Sequence, residues 1–100
     1  WLHVDDAASL TLAAAGQAGP AAPVANGGHG AGVEVRTVLE WLRGAFPGAP
    51  PAVFAGAARP GDPDAYVADV AEGLAWGWRP ERAPGEAIPA YAEWFRREGR

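Results

Sequence analysis

Trp1-Leu2-His3-Val4-Asp5-Asp6-Ala7, running on through Ala8-Ser9-Leu10-Thr11-Leu12-Ala13-Ala14-Ala15-Gly16, opens the chain. How this stretch is read decides the fold class. Trp1 to Val4 is a short extended segment by composition, the interior of a strand. Asp5 or Asp6 then supplies a side-chain acceptor for the exposed first-turn N–H groups of a helix. Ala7 to Ala15 is rich in Ala and Leu, which favour helix, and Gly16 is a natural stop.

Outward from there the same alternation is expected to repeat. Residues 16 to 23 are a loop of Gly, Pro and small residues. Val24-Ala25-Asn26 is a candidate strand, followed by the turn Gly27-Gly28-His29-Gly30. Val35, Val38, Leu39 and Leu42 fall at helical spacing, with Arg36, Glu40 and Arg43 off that face. Phe46 extends the stripe and Pro47-Gly48 ends it. Ala52-Val53-Phe54-Ala55 reads as a third short strand, and residues 59 to 63 as a loop. Asp69 caps a short helix through about Trp76, which Gly77-Trp78-Arg79-Pro80 breaks. The last helix carries Ile88, Tyr91, Ala92 and Phe95 on one face, and Pro89 predicts a kink or a late start there.

The expected architecture is a single α+β domain over residues 1–100: a small helix-rich lobe with a few short strands. Strands this short do not close a sheet alone, so they are expected to extend a sheet belonging to another part of a longer protein. A chain that opens inside a strand and contains no Met is expected to be a fragment, a processed chain or one domain of a longer protein.

Composition narrows the chemistry. Of the 100 residues 49% are hydrophobic and 20% charged, which fits a globular domain and not a disordered one. Much of the apolar share is Ala, so the five Trp, three Phe and two Tyr must carry much of the burial. The net charge is -4 and all eight basic residues are Arg, scattered except for Arg96 and Arg97. No basic stripe offers a footprint to nucleic acid. No apolar run is long enough for a bilayer, and the start does not resemble a signal peptide. Without Cys there are no disulfides, thiolate nucleophiles or thiolate metal sites, and a cytoplasmic setting is expected.

Arg59-Pro60-Gly61-Asp62 is the constellation best suited to binding. A guanidinium is a planar fork of donors matched to phosphate oxygens, and a carboxylate three residues on accepts from ribose hydroxyls. The Pro-Gly between them forces a tight turn that aims both side chains the same way. Spacing alone favours a solvated surface ion pair, worth little. His3, Asp5 and Asp6 are not expected to hold a metal: a strand would put His3 and Asp5 on one face, but the chain has only two His and no Cys, and an all-protein site normally takes three or four ligands. The Gly27–Gly30 run lacks the dinucleotide fingerprint. Trp76, Trp78 and Trp94 are expected in the core, and His29 is expected to be exposed.

Three stretches together carry a resemblance that covers nearly the whole chain. Trp1-Leu2-His3-Val4-Asp5-Asp6-Ala7 is one, and Val24 to Gly30 with the Val-rich helix after it is another. The third, and the most specific, is Arg59-Pro60-Gly61-Asp62, then Asp69, then Gly77-Trp78-Arg79-Pro80, then Trp94-Phe95. In this order and spacing they resemble the C-terminal lobe of the NAD-dependent epimerase/dehydratase, or extended short-chain dehydrogenase/reductase, family. That family includes UDP-galactose 4-epimerase and the sugar-nucleotide dehydratases. The chain departs from the pattern in starting after the family's upstream phosphate Arg, in lacking a helix-opening Ser or Thr near Gly32-Val33, in having Trp76 for Leu, and in Pro89.

The resemblance implies a substrate-binding lobe attached to a Rossmann domain. Arg59 would touch the diphosphate of a nucleotide sugar, Asp62 the nucleotide ribose, and Tyr66, four residues further on, would border the hexose. It further implies NAD(P), held by the Rossmann half and not by this chain, and a homodimer of the full-length enzyme. The family's catalytic Tyr-x-x-x-Lys pair cannot lie here, because the chain has no Lys, so the lobe is not expected to catalyse alone. Two rivals remain at this point: a non-catalytic docking module, and the lobe of an extended-family reductase acting on a non-nucleotide carbonyl compound.

Overall fold

The computed structural model of the protein describes residues 1–57 and 59–99. It contains four helices, α1 (Val4–Gly16), α2 (Val35–Ala45), α3 (Ala71–Ala75) and α4 (Pro84–Glu98), and no strand among the described residues. The α+β expectation is therefore corrected to an all-helical chain. The three expected strands fail for one physical reason. A strand of three or four residues persists only with a ladder partner, and the described residues supply none. Val24 is 82% exposed and Val53 91% exposed, so neither segment has a face to bury. Val4 belongs to α1, and the segment before it bonds the glycine turn, His29 N–H donating to the Trp1 carbonyl at 3.0 Å.

The chain divides into two compact units that interleave in sequence. Unit 1 comprises Trp1–Ala31 and Val67–Pro84, and unit 2 comprises Gly32–Tyr66 and Gly85–Arg100.

In unit 1, α1 starts earlier than its Ala run suggests. His3 has an extended backbone, and its Nδ1 accepts from Asp5 N–H at 3.2 Å, so the histidine is the N-cap. Asp5 and Asp6 sit in the first turn, where the partial positive charge of the helix N-terminus favours carboxylates. The short α3 is entered through Asp69, whose Oδ1 accepts from Ala71 N–H at 3.0 Å. It leaves through a Schellman motif: Trp78 N–H donates to Gly73 O and Gly77 N–H to Leu74 O, both at 3.0 Å, with Gly77 at φ +81°. That closure satisfies the last carbonyls of the helix and needs the left-handed residue that glycine provides. It also folds the Trp78 ring back over Gly73, so tightly that a Cβ there would lie 2.7 Å from Trp78 Cε3. The same point is 3.5 Å from Leu10 Cδ1, which brings α3 against α1.

In unit 2, α2 forms where the apolar spacing places it, with Val38 buried. Its N-cap Glu34 makes no side-chain cap bond, in keeping with the missing Ser or Thr. The helix ends at Phe46, and Ala49 N–H returns to the Phe46 carbonyl at 3.0 Å across Pro47-Gly48, with Gly48 at φ +90°. Pro followed by a left-handed Gly is the type II turn pattern. Helix α4 begins at Pro84, where a missing N–H costs nothing, and runs through Pro89. The late start expected from Pro89 does not occur. Ala92 is fully buried, and Phe95 meets Phe46 edge-on with centroids 6.1 Å apart. No helix among the described residues is long and apolar enough to cross a membrane.

Candidate functional site

The Arg59–Asp62 loop folds as its sequence demands. Asp62 N–H donates to the Arg59 carbonyl at 3.1 Å, and Gly61 has φ +90°. This is again the type II pattern, with Pro at the second position and Gly at the third. Such a turn holds its first and fourth Cα atoms within about 7 Å of each other, so Arg59 and Asp62 stand side by side at its base. Both are exposed, and neither side chain bonds another described residue. The surface ion pair that spacing suggests is thus not made. Tyr66 is 88% exposed and packs into no core. The turn offers one guanidinium fork and one carboxylate to solvent, a pair able to grip an anion bearing a neighbouring hydroxyl, but no wall encloses them.

Two hollows lie elsewhere. One, of about 420 Å³, is lined in unit 2 by Glu40, Arg43, Gly44, Phe46, Gly48 and Ala49. The other, of about 280 Å³, lies in unit 1 beside Ser9, Trp76, Trp78, Arg79 and Glu81. Arg59, Asp62 and Tyr66 line neither.

The densest polar arrangement is centred on Asp6, which is 2% exposed. Its Oδ1 accepts from Glu81 N–H at 3.0 Å and its Oδ2 from Arg82 N–H at 3.2 Å. Both oxygens thus clamp the backbone that follows the Gly77-Trp78-Arg79-Pro80 turn. The Trp78 indole N–H donates to Ser9 Oγ at 2.9 Å and to the Asp6 carbonyl at 3.2 Å. A buried carboxylate without donors would be costly, and here two main-chain donors meet it. Beside the clamp, Asp5 is exposed and pairs with Arg82 at 3.3 Å. His3 Nδ1 lies 3.6 Å from Asp5 Oδ2, and the described residues contain no cluster of three or more metal-ligating side chains.

Sequence reading treated Asp5 and Asp6 as interchangeable helix caps and missed the clamp. The available signal was the i, i+3 spacing of Asp6 and Ser9, which puts both on one face of α1. Of the three tryptophans expected in the core, Trp78 is 5% exposed, Trp76 half-buried and Trp94 49% exposed. His29 is half-buried, with a buried Nδ1 that bonds nothing among the described residues, which corrects the expectation of an exposed side chain.

Comparison with family models, with curated proteins and with solved structures returns no match.

Proposed function

We propose that the chain is the nucleotide-sugar-binding lobe of an NAD-dependent epimerase/dehydratase, working with a Rossmann half that holds NAD(P) and the catalytic Tyr and Lys. The observation that carries this reading is the convergence of separated stretches of the resemblance in unit 1. Trp1 bonds the glycine turn through His29, Asp6 bonds the backbone of Glu81 and Arg82, and Trp78 bonds Ser9 and the Asp6 carbonyl. Residues far apart in sequence that resemble one family's pattern are joined by specific bonds, as parts of one inherited scaffold would be.

In this reading the exposed Arg59 guanidinium takes the diphosphate and Asp62 the ribose, with Tyr66 beside the sugar. The lobe closes over the nucleotide end of the substrate. Binding energy from that remote end orients the hexose against the nicotinamide. The enzyme acts in the cytoplasm as a homodimer. A second reading, a non-catalytic docking module, draws on the openness of the same turn and on the exposure of Leu12, Val24 and Val53, apolar groups that a partner would cover.

Titration of UDP, dTDP and GDP into the protein joined to its Rossmann half separates the two. Wild type is expected to bind one of these diphosphates. Arg59→Ala is expected to bind it roughly tenfold to a hundredfold more weakly, the worth of a charge-assisted bond of about 1.5–3 kcal/mol, with NAD affinity unchanged. Asp62→Asn costs less, because an amide oxygen still accepts from a hydroxyl. Equal binding by wild type and Arg59→Ala, or no diphosphate binding at all, overturns the assignment.

A further inference from the structure

Asn26 is the only asparagine in the chain and is followed directly by Gly27. It is exposed, and residues 23–27 belong to no helix or hydrogen-bonded turn. The Gly27 N–H donates to no described residue. Gly27 is itself exposed, and its main-chain nitrogen, once deprotonated, is a nucleophile that can close a five-membered ring on the side-chain amide carbon of Asn26. Glycine adds no Cβ to obstruct the approach.

We propose that Asn26-Gly27 is a site of spontaneous deamidation and backbone isomerisation, with water as the only co-reactant. In the first step the Gly27 nitrogen gives up its proton to solvent base and bonds to Asn26 Cγ. The Cγ–Nδ2 bond then breaks, and the amide nitrogen takes up a proton and leaves as ammonia. The result is a five-membered succinimide. In the second step water adds to one of the two ring carbonyls and the ring C–N bond at that carbon breaks, returning the proton to nitrogen. Opening at the side-chain carbonyl gives aspartate in the ordinary backbone. Opening at the main-chain carbonyl gives isoaspartate, in which the backbone runs through the former side chain. Nothing is oxidised or reduced, and each product carries one more negative charge than the parent.

The isoaspartyl product has a structural consequence, because the residues just beyond the bond have no slack. A Cβ on Gly27 would lie 3.0 Å from both Leu2 Cδ2 and Leu10 Cδ2, and one on Gly28 would lie 2.5 Å from Ala68 Cβ. His29 N–H holds the Trp1 carbonyl at 3.0 Å. An isoaspartyl link lengthens the main chain by one methylene carbon immediately before these contacts and pushes them out of register. Deamidation therefore produces an aged form of unit 1, loosened around Trp1, Leu2 and Leu10.

The test is incubation of the purified protein in mildly alkaline buffer at body temperature, followed by intact mass and peptide mapping. Wild type is expected to gain, over days, the mass difference between an amide and an acid, mapped to the peptide containing residue 26. Enzymatic methylation should detect isoaspartate there. Asn26→Gln, whose cyclisation requires a six-membered ring, is expected to lag far behind. The aged fraction, separated by its added charge, is expected to unfold at lower urea than the fresh fraction. No mass gain, or equal gain by wild type and Asn26→Gln, overturns the modification site. Deamidation that runs in urea but vanishes in native buffer overturns it too, since the fold would then shield the bond. Aged and fresh fractions with the same urea midpoint overturn the structural consequence.

Discussion

Replacing Asp6 with Ala probes the interaction on which unit 1 most depends. The substitution removes a carboxylate that is 2% exposed and accepts from two main-chain N–H groups, at 3.0 and 3.2 Å. Hydrogen bonds to a charged group contribute about 1.5–3 kcal/mol each, so two give about 3–6 kcal/mol before offsets. Two offsets apply. Burying the carboxylate itself costs free energy, which the variant recovers. Glu81 and Arg82 are exposed, so water reaches their freed N–H groups. A net loss of about 2–3 kcal/mol follows, roughly 30- to 140-fold in the folding constant. Asp5→Ala is the matched control: same turn of α1, same charge removed, but an exposed side chain and one ion pair to Arg82. Its cost stays within about 1 kcal/mol. Urea unfolding followed by tryptophan fluorescence reads both, since Trp78 lies against the clamp. If Asp6→Ala and Asp5→Ala shift the midpoint equally, the two backbone bonds contribute nothing beyond charge, and the clamp is not what holds the 78–82 segment.

Two glycine substitutions should move stability in opposite directions. Gly73→Ala puts a Cβ 2.7 Å from a Trp78 ring that is tied at its indole N–H, and the overpacking of about 1–3 kcal/mol outweighs the better helix propensity. Gly44→Ala on α2 meets nothing within 4 Å and should stabilise the protein by about 0.4–1 kcal/mol, read as a higher thermal midpoint. The chain by itself should not bind NAD in a calorimetric titration, because it lacks the glycine fingerprint and any Lys; micromolar binding would refute this. Its thermal unfolding should be broad and low, since Val38, Trp78 and Ala92 are the only buried hydrophobic residues among those described; a sharp, high transition for the monomer would contradict it.

The helices were legible in the sequence where local signals act alone. The apolar spacing of Val35, Val38, Leu39 and Leu42 matches α2, the Pro47-Gly48 stop falls just past its end, and Asp69 accepts from the first residue of α3. The strands were misread because extended composition is only half of a strand, and the other half is a partner that no local pattern reveals. His3 as the cap of α1 was missed because a histidine acceptor is far rarer there than Asp, Asn, Ser or Thr. For the candidate site, the tight turn at Arg59–Asp62 was legible from Pro60-Gly61, but whether a cleft forms around it depends on long-range packing. The role of Asp6 was hidden for the same reason: its partners lie 75 and 76 residues away.

That separation governs how the chain is made. Helix α1 is made well before its partners, and Asp6 meets neither main-chain donor until Glu81 and Arg82 have been synthesised. Closing a loop of that length costs about 4 kcal/mol in chain entropy beyond a constant term. Unit 2 waits as well, because Gly32–Tyr66 is completed only by the final segment from Gly85. Since the two units alternate along the chain, a single cleavage after Tyr66 divides both of them, and a nascent chain stalled before Glu81 leaves α1 with its carboxylate unmatched. Each unit therefore closes only once its second segment has been made, Val67–Pro84 for unit 1 and the segment from Gly85 for unit 2.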